Sequence, residues 1–265
     1  MRLVFACCFG FLLITHQLSA QSEEGRQIFL TTGVGGSYLN VREQAHSPLL
    51  YNGLGGNAQL GHIRNTKKSF SQSIARFDFN AVGRNENAAS LYSYKFEGQY
   101  QHYFKQFSNA DRSIRIYPGL AVLGVWRLQD HLNFTNNSQV ITTQFSLAPA
   151  VKMEWPFALF NRNFELGFFS QLPLLNYIGR PLFASTKFPD QVNNEDPAWH
   201  NYITGGKLYS LGGYFNIRTQ SYLTYAFKNG NGLKLDYFWS FESLQSQNPM
   251  KAGGHSLVIS TLFKL

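Results

Sequence analysis

From residue 26 onward the chain alternates apolar and polar side chains in segments of strand length. The segment 233–242 shows the pattern plainly. Leu233, Leu235, Tyr237, Trp239 and Phe241 fall on one face, and Lys234, Asp236, Phe238, Ser240 and Glu242 on the other. Apolar residues at every second position define a two-faced strand, whereas a helix would place them at i, i+3 and i+4. The pattern predicts ten strands, over 27–41, 49–64, 69–82, 91–106, 113–128, 140–155, 163–176, 207–228, 231–243 and 254–265. A soluble sandwich places turn signals every 8–12 residues or so. Here the strands are long, with one turn per roughly 20–27 residues, which fits tilted transmembrane strands of about 9–11 residues.

The facing holds strand by strand. In 140–155 one face carries Ile141, Thr143, Phe145, Leu147, Pro149, Val151, Met153 and Trp155. The other carries Thr142, Gln144, Ser146, Ala148, Ala150, Lys152 and Glu154. If the apolar face is turned outward into lipid, the inward set includes Arg76, Lys95, Arg115, Arg127, Lys152, Arg218 and Lys234. It also includes Asp78, Glu97, Glu154, Glu165, Asp236 and Glu242. Cations and anions in such numbers can neutralise one another across a narrow lumen. A ten-stranded barrel is only slightly wider than the eight-stranded ones that side chains fill, and wide pores need about 16–18 strands. The expectation is a side-chain plug, with a narrow polar conduit or ligand pocket as its alternative.

Composition and the first residues bear on location. Arg2, the apolar run from Leu3 to Ile14 and the small residue Ala20 have the layout of a secretory signal, too short to span a bilayer. Cleavage after Ala20 divides the chain into a signal, 1–20, and one domain, 21–265. Both cysteines, Cys7 and Cys8, fall inside the signal, which excludes a disulfide framework and cysteine-ligated metal from the mature chain. Without Arg2, 22 Lys and Arg oppose 15 Asp and Glu. For an exported chain that balance suits an anionic lipid surface better than nucleic acid. No mature segment offers 18 consecutive apolar residues. Alternating strands escape hydropathy windows, so this is what a β-barrel would show.

The connections alternate in kind. Compact turn signals stand at 65–68, 108–111, 161–162 and 229–232, and longer loops at about 42–48, 83–90, 129–139, 177–206 and 244–253. These features together resemble the bacterial outer-membrane β-barrel class, over nearly all of 27–265. The final strand, from Ser256 to Leu265, resembles the amphipathic C-terminal signal read by the barrel-insertion machinery, but with Phe263 third from the end and Leu265 last. The Tyr- and Phe-rich composition, with Gln21 after the cleavage site, is similar to outer-membrane proteins of Bacteroidota. The resemblance implies a Gram-negative cell-envelope location, short periplasmic turns and longer external loops. It implies outer-membrane lipids and the insertion machinery as partners, with a protein partner at the external loops as a further expectation.

Candidate chemistry is sparse. The loop 177–206 contains Asp196 and His200, a carboxylate and an imidazole four residues apart that could orient a general base. Ten strands also resemble the omptins, outer-membrane proteases with acidic and Asp–His groups at the external mouth, although no omptin motif is present. The other histidines have no metal-ligand spacing, and the glycine runs 33–36 and 53–56 open no helix, as a phosphate loop would require. No metal, cofactor or nucleic acid is expected. The leading expectation is a plugged barrel with a structural or binding role through its external loops, alone or within a membrane complex. The alternatives are a hydrolase acting on lipid or peptide at the mouth, a narrow transport channel, and a soluble exported β-protein with an apolar interior.

Overall fold

A computed structural model describes residues 26–45, 47–84, 89–105, 114–133, 138–180 and 205–265. Among these residues twelve strands occur, in the order β1 (Gln27–Glu43), β2 (Leu50–Asn65), β3 (Ser69–Arg84), β4 (Ala89–Phe104), β5 (Arg115–His131), β6 (Gln139–Leu159), β7 (Arg162–Gln171), β8 (Leu175–Gly179), β9 (Lys207–Tyr209), β10 (Tyr214–Ala226), β11 (Gly232–Leu244) and β12 (Met250–Lys264). Each neighbour pair is antiparallel, and β1 meets β12 from Phe29 opposite Lys264 to Glu43 opposite Met250, which closes the sheet on itself. The result is a single closed antiparallel β-barrel of ten staves.

The twelve strands make ten staves because two are broken. The predicted strand 163–176 is β7 followed by β8, both paired with β6. Pro173 has no N–H to give the ladder, so regular pairing lapses over 172–174. The flanking amides of Leu172 and Leu174 still donate to the carbonyls of Pro149 and Leu147, at 3.2 and 3.0 Å. The predicted strand 207–228 is likewise β9 and β10, separated by a turn at 211–213 in which Gly213 and Tyr214 both donate to the Ser210 carbonyl. At the β6–β7 hairpin the turn falls on Phe160 and Asn161, one residue earlier than predicted. Both have positive φ, 50° and 56°, as a two-residue turn that follows the strand twist requires.

One end, the turn end, is where β2 leads into β3, β4 into β5, β6 into β7 and β10 into β11, and it holds both ends of the described barrel. The Leu265 amide donates to the Ile28 carbonyl there at 2.9 Å. The other connections leave from the opposite end, the loop end, and the predicted contrast in length holds only in part. Ten residues separate Phe104 from Arg115 at the turn end, but four separate Arg84 from Ala89 and five separate Leu244 from Met250 at the loop end. Close approach of backbones explains two inward glycines. A Cβ at Gly35 would run into the Leu257 carbonyl oxygen, and one at Gly55 into that of Phe79.

The two faces of the barrel wall differ in kind. Outward positions expose Leu30, Val34, Leu54, Leu60, Leu120, Phe145, Leu147, Leu223, Leu235, Leu257 and Ile259 in a continuous band. Water-soluble monomers rarely expose a contiguous apolar patch beyond a few hundred Å². Aromatic side chains border the band. At the turn end Trp155, Phe157, Phe164, Tyr225 and Phe227 form a chain of ring contacts with centroids 5.0–5.9 Å apart. Trp239 and Tyr237 stand toward the loop end, and Tyr100 lies in the outward row of β4. The inward face buries glutamines, asparagines and charged residues among its apolar clusters, unlike the uniformly apolar interior expected of a soluble β-protein.

Candidate functional site

The lumen is built in three layers, because inward positions at each height bring different residues together. At the turn end Ile63, Phe70, Tyr103, Tyr117, Phe169, Tyr222 and Leu262 pack into one cluster. The Phe169 ring lies 5.5 Å from Tyr103 and 5.3 Å from Tyr222. Lys152 enters this cluster with its Nζ 3.0 Å from the centre of the Phe70 ring, and it pairs with Glu154, two residues along the same strand face. An ammonium over an aromatic face gains from the ring quadrupole, more so where water is excluded. The Tyr222 hydroxyl donates to Glu165 at 2.8 Å.

The middle layer is a connected ion network. Arg76 Nε lies 3.2 Å from Asp78 Oδ2, and Lys95 Nζ bridges Asp78 and Glu97 at 3.2 and 3.3 Å. Arg218 reaches across the lumen from β10 to Glu97 on β4, and Arg127 on β5 reaches Glu242 on β11. Lys234 pairs with Asp236 at 2.8 Å, and that carboxylate also accepts from Gln220 at 2.6 Å. The Arg76 guanidinium stacks 4.7 Å from the centre of the Phe238 ring. An ion buried alone costs several kcal/mol, but a buried ion with a partner and further hydrogen bonds is tolerated. A cavity of about 70 Å³, with space for only a few waters, lies within this layer beside Arg76, Lys95 and Gln101. The Gln101 amide oxygen has no protein partner among the described residues.

At the loop end two smaller apolar clusters narrow the lumen, one around Val41, Tyr51, Val82 and Leu91 and the other around Ile178, Tyr214, Leu244 and Met250. The Tyr214 hydroxyl donates to Glu242 at 2.8 Å, which ties this layer to the ion network. Arg180, the residue after β8, folds inward to pair with Glu43 and donates to the Asn248 carbonyl at 2.8 Å and the Ser246 hydroxyl at 3.2 Å. It thereby ties the connections after β8 and β11 to the end of β1. Burial draws the Arg180 guanidinium down to about 10, which leaves it charged at neutral pH.

Of the charges predicted to face inward, Arg76, Asp78, Lys95, Glu97, Arg127, Lys152, Glu154, Arg218, Lys234, Asp236 and Glu242 join these ion pairs. Glu165 is half-buried at the turn-end mouth. Arg115 has inward parity but is exposed, because it is the first residue of β5 and stands at the rim. Asp196 and His200 lie outside the described residues, as do positions 1–20 with the expected cleavage site. No group of histidine, cysteine and acidic residues suited to a metal occurs among the described residues.

The Glu43–Arg180 pair and the aromatic layer were not anticipated. Glu43 continues the inward row Ser37, Leu39, Val41 by one step, so extending the strand past residue 41 would have found it. Phe70, Tyr103, Phe169 and Tyr222 share the inward parity of Arg76, Glu97, Glu165 and Arg218, but their residue type runs against the rule that apolar residues point outward.

No family model matches the sequence, and no curated protein matches it. Among solved structures, the chain is similar to the translocator domain of the autotransporter NalP from Neisseria meningitidis, at 7% identity and a TM-score of 0.42, over 98% of this chain and 97% of that one. It is also similar to the outer-membrane protease OmpT from Escherichia coli, at 8% identity and a TM-score of 0.48, over 93% and 99% of the two chains. A third likeness is to the COG4313 outer-membrane channel from Pseudomonas putida F1, at 10% identity and a TM-score of 0.27, over 92% and 97%. At these identities and scores none carries an argument about activity.

Proposed function

We propose that the protein is an integral outer-membrane barrel whose lumen is sealed by its own side chains and whose structural or binding role is exercised at the loop end. The apolar outward band supports the membrane location, because such a surface in water would aggregate. The export signal supports the outer membrane, and the long connection from Gly179 to Lys207 favours the loop end as the outward-facing one. One observation carries the sealed lumen: the ion network that reaches from Arg218 and Arg127 across to Glu97 and Glu242, stacked on the Phe70–Tyr103–Phe169–Tyr222 layer. Transport would require both layers to move. Outer-membrane lipids, the insertion machinery during assembly and a protein bound at the external loops are the partners this reading entails.

Planar-bilayer recording tests it. The wild-type barrel should insert without stable single-channel steps. Regular conductance steps from wild-type protein would overturn the seal and favour the narrow channel.

A further inference from the structure

On the outer surface of the β1–β12 seam, at the loop end, Arg42 and Lys251 stand directly opposite each other. Both are exposed, and neither belongs to any ion pair among the described residues. Like charges directly opposed across a ladder destabilise it. The neighbouring carboxylates, Glu43 and Glu242, point inward and are taken by Arg180 and Arg127. The outward carboxylate Asp130 is on β5, four staves away.

Beneath the cations the surface is layered. One step toward the turn end, Asn40 and Phe241 flank Gly253, where a Cβ would meet nothing within 4 Å, so the wall carries a notch. The next step holds Tyr38, His255 and Trp239 side by side, with the Tyr237 hydroxyl 2.7 Å from His255 Nδ1. That hydrogen bond engages Nδ1 and leaves Nε2 of the imidazole free for a second partner. Below these rings lie the exposed aliphatic side chains of Val34, Leu235, Leu257 and Ile259.

We propose that this column binds a phosphate-bearing lipid of the leaflet at the loop end. Arg42 and Lys251 hold the phosphate, the notch at Gly253 and the polar groups of Asn40, His255 and Trp239 receive the headgroup, and the acyl chains follow the aliphatic strip. An anion between the two cations converts their repulsion into two charge-assisted contacts. The inference rests on the membrane-barrel reading above.

Phosphorylated lipid A, its dephosphorylated form and inorganic phosphate serve as probes against the detergent-folded protein, with bound lipid counted by native mass spectrometry. Wild type should retain lipid A and discriminate against the dephosphorylated form. The double variant Arg42→Gln, Lys251→Gln should bind lipid A about tenfold more weakly or worse, and Lys251→Gln alone should fall between. In lipid-free detergent both variants should resist unfolding at least as well as wild type, because a repulsion has been removed; Lys228→Gln, at the turn end, should leave lipid binding unchanged. Equal binding of the dephosphorylated lipid, or undiminished binding by the double variant, would overturn the site while leaving the barrel intact. Displacement of lipid A by inorganic phosphate at equal concentration would overturn the lipid as its occupant. Wild-type protein that stays soluble and folded without detergent would instead overturn the membrane reading itself.

Discussion

Glu97→Gln should destabilise the barrel by about 3–5 kcal/mol, the usual cost of removing one partner from a buried ion pair. Glu97 is 4% exposed and is shared by two cations from different strands. Lys95 keeps Asp78 as a second partner, at 3.2 Å, but Arg218 has no other ion-pair partner among the described residues. The substitution therefore leaves a guanidinium buried in the lumen without its counter-charge. Adding Arg218→Gln should restore much of the loss, because both members of the pair are then gone. The measurement is the midpoint of urea unfolding in detergent, read from the fraction that migrates as the compact species on an unboiled gel. Equal midpoints for wild type and Glu97→Gln would mean that the network does not hold the lumen together.

Leu235→Arg acts on the other face and should cost roughly 2–4 kcal/mol through impaired insertion, the range for Arg on the lipid side near the bilayer midplane. Leu235 lies within the apolar band, between Leu223 on β10 and Ile259 on β12, which is in turn opposite Val34 near the middle of β1. Its side chain is 41% exposed, and those of Ile259 and Val34 more so. The adjacent residue gives the contrast. Lys234 is 5% exposed and faces Asp236 and the Tyr222 ring, with its Nζ 4.4 Å from the ring centre. Lys234→Gln should leave insertion intact, with a stability loss that tracks the stranded Asp236 carboxylate. Refolding yields in lipid vesicles separate the two, and equal yields would contradict the facing.

The period-two pattern made the staves legible, because burying one face of a long strand imposes alternation on every residue along it. The same parity places the lumen charges at the right heights to pair, as with Lys152 and Glu154, or Lys234 and Asp236, which share a strand face. Pairs between distant strands, such as Arg218 with Glu97 and Arg127 with Glu242, depend on barrel closure and stagger, which no local pattern carries. The aromatic layer was hidden for a different reason. Phe70, Tyr103, Phe169 and Tyr222 look like lipid-facing residues by type, yet a narrow lumen must be filled, and large rings around Lys152 fill it. The predicted strands 163–176 and 207–228 run straight through Pro173 and Gly213; that each stave comes in two pieces depends on what the neighbouring strands pair with.

The alternation itself can be measured directly. Both cysteines of the chain lie at positions 7 and 8, so in protein prepared from Gln21 onward a single cysteine introduced from 233 to 241 carries one spin label in a vesicle-inserted barrel. Positions 233, 235, 237, 239 and 241 should be relaxed strongly by oxygen, which partitions into lipid. Positions 234, 236, 238 and 240 should be shielded from oxygen and, within a sealed lumen, from a water-soluble nickel chelate. Odd positions relaxed by the chelate and shielded from oxygen would contradict a barrel that turns its apolar face to lipid.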